Sequence, residues 1–160
     1  MEITAFLEEL KTLTSQEDLI SVAREVNELS TKFEDFVIEE ERKLQIAQLE
    51  AQEKGEAIPE NDELFQVKDE FKTILREYRS QRKIQEDHKK TLESANLSRK
   101  RALIERLRDT LKEENIGAAY SSFKEILEAW KTIGDIPREK RADVQTEFSH
   151  LIEDFNYNIR

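Results

Sequence analysis

The chain of 160 residues contains no cysteine. That excludes disulfides, thiolate nucleophiles and cysteine-based zinc sites, and it suits a reducing compartment. Glycine occurs three times and proline twice, so turns are scarce and long uninterrupted elements are expected. No apolar run approaches the ~20 residues that a membrane-spanning helix needs. Met1-Glu-Ile-Thr also lacks the basic stretch that opens a secretion signal. A soluble, cytoplasmic protein with no membrane partner is expected. No glycine-rich phosphate loop and no Gly-x-Ser-x-Gly elbow is present.

What the sequence does have is charge. Charged residues make up 39% and apolar ones 37%, the latter below the roughly 45–50% of ordinary globular domains. Glu, Lys, Leu, Ala and Arg at helical spacing point to coiled-coil or bundle packing. Such polarity also suits disorder, but the regular apolar stripes argue against it. The charge is uneven. Residues 1–65 hold 18 acidic and 6 basic residues, whereas 66–160 hold 18 and 20. The acidic part disfavours contact with nucleic acid or an anionic membrane, because like charges repel.

Ile3, Phe6, Leu7, Leu10 and Leu13 fall on one face of a short first helix. Ser15 with Asp18 three residues on resembles a capping box, which starts a second helix near Gln16 and carries it to Lys54. Its apolar positions Leu19, Val22, Val26, Leu29, Phe33 and Phe36 step by three and four, as in a heptad seam. Gly55 and Pro59 mark a break, and Asn61 or Asp62 caps the next helix, whose stripe is Leu64, Val67, Phe71, Ile74, Leu75 and Tyr78. Folding back at the break pairs Leu44 with Phe71 and Val37 with Tyr78, in an antiparallel hairpin. The stretch from Val22 to Phe33 then needs a cover, either the first helix or a second chain.

From Arg79 to Lys90 the stripe fades into an exposed shaft that runs on to about Glu113. Ser and Asn near Ser94–Ser98 are a place for a kink. An apolar face returns with Leu103, Ile104, Leu107 and Leu111. Asn115 caps a helix that buries Ala119, Phe123, Ile126, Leu127, Trp130 and Ile133. Gly134 is its expected C′ residue, and Pro137 suits the first turn of the last helix. That helix buries Val144, Phe148, Leu151, Ile152, Phe155 and Ile159. It reaches Arg160 without a stop signal, so the native chain is expected to continue.

Phe123-x6-Trp130-Lys-x-Ile-Gly134-x-Ile-Pro137-Arg-Glu, followed by a helix with Phe148 and Phe155, resembles the repeat of the domain of unknown function 349 family. Ile136 stands where the family more often has Val. The resemblance covers roughly 92–160, and the preceding hairpin over 1–91 looks like the N-terminal region of the multi-repeat Bacteroidetes-type bacterial members. It implies no activity, since the family name records that none is known. The residues themselves explain the motif without chemistry. Trp130 supplies apolar area at a helix end, Gly134 stops that helix and Pro137 starts the next.

Other constellations are weak. Glu147-Phe-Ser-His150 has Glu-x-x-His spacing, but a dinuclear carboxylate site needs a second such pair, and Gln85-Glu-Asp-His88 lacks it. His150 is expected at a partly buried edge. No catalytic residue, cofactor site or metal site is assigned, and neither an enzyme nor a small-molecule substrate is expected. Residues 76–108 carry 11 basic residues against 5 acidic. Arg99, Lys100, Arg101, Arg106 and Arg108, with Arg138 and Arg141 further on, are candidates for contact with nucleic acid or an acidic partner. A solvated helix face explains the same charges, and no interleaved aromatics support base stacking.

The sequence therefore predicts an all-α protein, with a long coiled-coil-like antiparallel hairpin joined by a shared long helix to a three-helix bundle repeat. A non-enzymatic scaffold or protein–protein interaction module, with self-association as one form, is the leading expectation. A nucleic-acid- or ribonucleoprotein-associated factor using 76–108 is the alternative.

Overall fold

The computed structural model describes residues 2–159, with side chains over 2–158. Five α-helices and one 3-10 turn account for the described chain, which contains no strand. They are α1 Ile3–Thr14, α2 Ala23–Lys54, α3 Asp62–Thr110, α4 Ile116–Thr132 and α5 Arg141–Ile159, with the 3-10 turn Arg138–Lys140 leading into α5. The all-α expectation holds. The chain divides into two compact units, Met1–Glu86 and Asp87–Arg160, a little before the boundary expected at 91/92.

The first unit is built on the seam of α2. Val26, Leu29, Phe33 and Val37 are buried, together with Leu64, Val67, Phe71, Leu75 and Tyr78 of α3. Burying side chains of this size contributes about 1.5–3 kcal/mol each. α1 closes the seam from one side. Phe6 packs edge-on to Phe33 at 5.6 Å and against Phe36 at 5.1 Å, and Leu10 is 0% exposed. The first helix is thus the cover that Val22 to Phe33 required.

Two features of this unit depart from the sequence expectation. The second helix begins at Ala23, not near Gln16. Ser15 does not cap it; its hydroxyl donates back to the Thr12 carbonyl, and Ser15 ends α1. Asp18 accepts from the N–H groups of Ile20 and Ser21 in an isolated turn. Distant side chains hold this turn in place. The Gln85 amide donates to the Glu17 carbonyl and accepts from the Leu19 N–H, both at 2.9 Å, and the buried Tyr78 hydroxyl donates to the Leu19 carbonyl at 2.8 Å. Leu19 and Val22 are buried as predicted, but from a loop.

The hairpin register is also displaced. Phe71 stacks on Phe33 at 3.8 Å rather than meeting Leu44, and Lys68 pairs with Glu41 at 2.9 Å. The cause lies in the connection. α2 ends in a Schellman turn, with Gly55 at φ +68° and the Glu56 N–H donating to the Ala51 carbonyl. The chain then runs back along α2, and the Gln48 amide donates to the Pro59 carbonyl. Ala51 is small and buried here, at 7% exposed. α3 therefore starts alongside the last turns of α2 rather than beyond them, with Asn61 accepting from the Leu64 N–H as its cap.

The second unit packs the latter part of α3, α4 and α5 around Ile104, Leu107, Ala119, Ile126, Val144 and Leu151. α3 is helical throughout Ser94–Ser98. Asn96 does not compete for its own helix's hydrogen bonds, because its amide reaches across to the Asp135 carbonyl at 2.8 Å. Asn115 caps α4 by accepting from the Ala118 N–H. Ile159, at the end of the expected stripe, has a side chain outside the described residues, as does Arg160.

Candidate docking groove and basic corner

The residues of the Trp-Gly-Pro motif form a corner in the second unit. Trp130 is half-buried and lies parallel to Phe148, ring centroids 3.6 Å apart, with the Lys100 ammonium 4.5 Å from its ring centre. Phe123 stacks on Phe155 in the same way at 3.9 Å. These aromatic pairs tie α4 to α5.

Gly134 and Pro137 play other parts than those read from sequence. α4 stops at Thr132, with Ile133 extended, and Gly55 is the one glycine with positive φ. Gly134 is not a left-handed cap. A Cβ there would lie 3.2 Å from the Asn96 amide nitrogen, so glycine leaves room for the Asn96–Asp135 bond. Pro137 precedes the helical turn rather than sitting within it, at φ −53° and ψ 133°, and its carbonyl accepts from the Lys140 N–H.

The candidate cations separate into two groups. Arg106 pairs with Glu125, and Arg108 pairs with both Glu105 and Glu147. Arg141 donates through Nε to the Ile136 carbonyl, and Lys100 is held over Trp130. Arg99, Arg101 and Arg138 are exposed and have no side-chain partner among the described residues. Lys100 and Arg141 nevertheless line one open cleft of about 350 Å³ beside Gly134, Asp135 and Gln145, so the two basic clusters meet at the corner. The Glu-x-x-His spacing leads nowhere: Glu147 is taken by Arg108, and His150 is exposed rather than partly buried. Among the described residues no group of three His, Cys, Asp or Glu is placed to hold a metal ion, and no helix is long and apolar enough to cross a membrane.

The first unit carries a feature that sequence periodicity did not isolate. Between α2 and α3 runs a groove of about 430 Å³. Phe33, Val37, Phe71 and Leu75 form its floor, Glu34, Ile38 and Glu41 its α2 wall, and Lys68, Lys72 and Arg79 its α3 wall. One wall is acidic and the other basic. The Glu41–Lys68 pair bridges them at one end, while Glu34, Lys72 and Arg79 have no ion-pair partner among the described residues. Ile38 is 66% exposed at the rim. In the sequence, Glu34, Ile38 and Glu41 lie one helical face apart from the buried seam, but only the displaced register sets them opposite Lys68 and Lys72.

Residues 66–139 match the family model described as Domain of Unknown Function (DUF349). The match takes in most of α3, all of α4 and the corner as far as Glu139, and it stops short of α5. No curated protein and no solved structure matches the chain. The matched stretch, residues 66–139, holds Phe123, Trp130, Gly134 and Pro137, and over it the chain is similar to the domain of unknown function 349 family.

Proposed function

We propose that the protein is a non-enzymatic helical interaction module, and that the groove between α2 and α3 is its binding face. The observation that carries this is the pairing of an apolar floor with walls of opposite charge, three of whose charges have no ion-pair partner among the described residues. Such a groove accepts a helical surface with an apolar stripe, basic residues facing α2 and acidic residues facing α3. The test is capture from cell extract by wild type and by an Ile38→Asp/Lys72→Glu variant, followed by direct titration of the purified captured protein. Binding by wild type and not by the variant, in nuclease-treated extract, is expected. Equal binding by both overturns the assignment of the face.

A second reading is favoured by one observation, the convergence of Lys100 and Arg141 on the corner cleft, with Arg99, Arg101 and Arg138 close to them in sequence and without a side-chain partner among the described residues. In that case the protein is associated with nucleic acid or ribonucleoprotein, and phosphate contacts dominate. Binding to single-stranded RNA would then weaken steeply with salt, and Arg99→Glu/Arg101→Glu/Arg138→Glu would remove it. Salt-independent binding, or binding unchanged in that variant, excludes this reading.

A further inference from the structure

The charges of the groove are arranged so that it complements itself. Phe33 lies across from Phe71, and Glu41 is bonded to Lys68. The acidic wall from Glu34 to Glu41 is therefore level with the basic wall from Lys72 to Lys68, both measured along the helices. A two-fold axis parallel to the helices preserves those levels while exchanging the two walls. It sets Glu34 of one copy over Lys72 of the other, and Glu41 over Lys68, with each contact made twice. The other in-plane axis, across the helices, would set acid over acid and base over base, which is repulsive.

From this we propose that the occupant of the groove is a second copy of this chain, docked face to face about an axis parallel to α2 and α3. The proposal rests on the groove being the binding face, and it names the partner. The walls of the two copies meet over their apolar floors, so that each copy's exposed Ile38 gains a cover, and Glu34 and Lys72 each gain a counter-charge. α1 packs against Phe33 and Phe36 within its own chain and stays with it. The interface is isologous and closed, and it gives dimers rather than filaments.

Sedimentation velocity over a concentration series tests this with wild type and two variants. Glu34→Lys/Glu41→Lys makes both walls basic, and Lys68→Glu/Lys72→Glu makes both acidic. All four positions are at the surface, and circular dichroism with thermal melting checks that each variant folds. Wild type is expected to dimerise. Each variant alone should associate roughly tenfold or more weakly, since like charges then oppose each other. An equimolar mixture of the two should recover dimer, because basic walls then face acidic ones. A wild type that stays monomeric throughout overturns the proposal, and so does a dimer indifferent to both variants. If wild type is monomeric but the groove variant loses a different helical partner, only self-association falls. If neither dimer nor groove-dependent partner is found, the binding face falls with it.

Discussion

Trp130 is the residue on which composition places most weight, and the structure gives it a mechanical task. It is half-buried between Phe148 and Lys100 rather than enclosed, so Trp130→Ala is expected to cost about 3 kcal/mol, the low end of the range for large aromatic truncations. Urea denaturation measures this. An unchanged midpoint would assign the ring to recognition instead. Gly134 makes a sharper case. Gly134→Ala should destabilise by about 1–3 kcal/mol through overpacking against Asn96. In an Asn96→Ala background the same change should be nearly neutral, and a double-mutant cycle reports the difference. Equal costs in both backgrounds would mean that the Asn96 contact is not why glycine is there. Sequence showed that a glycine was needed at position 134, but not that the reason was a side chain from another helix.

Charge at single residues gives a modest pH signature. The Glu39 carboxyl is held below its ordinary value of 4.5, first by its hydrogen bond from Arg42, and the Arg42 guanidinium is raised correspondingly. Because the folded value is the lower one, the stabilisation is present above pH 4.5 and is lost as pH falls through the folded value. The pair is fully exposed, so Glu39→Gln should flatten the acid limb of the stability curve only slightly. A large loss of stability at neutral pH would contradict an exposed, weakly coupled pair.

At the scale of elements, the helices were legible because apolar spacing is local information, while their starts and pairing were less so. Asn61 and Asn115 cap as read, since a cap is settled within one turn of chain. Ser15 and Asp18 have the residues of a cap, but the choice between helix start and isolated turn was made by Gln85 and Tyr78 from far along the chain. Gln85→Ala should therefore cost about 1–3 kcal/mol for its two backbone bonds, and it should raise hydrogen exchange at Leu19 selectively. Protection at Leu19 unchanged by that substitution would deny Gln85 its holding role. The register failed for a similar reason. Gly55 and Pro59 announce a break, and nothing local says that the chain between them folds back along α2.

For the molecule as a whole, the sequence displayed its charges but not their placement. The basic run over 76–108 stood out, yet Arg106 and Arg108 are neutralised by Glu125, Glu105 and Glu147. The groove walls drew no notice because Glu34 and Lys72 come from different helices. Binding at that face can be read against an internal control, since Ile38 on α2 and Ile116 on α4 are 66% and 65% exposed. Methyl NMR of labelled isoleucines, recorded over a concentration series, tests the groove most directly. The Ile38 signal should shift or broaden as concentration rises while Ile116 stays fixed. An Ile38 signal that never moves, or one that moves only in step with Ile116, would contradict the docking of a second copy in the groove.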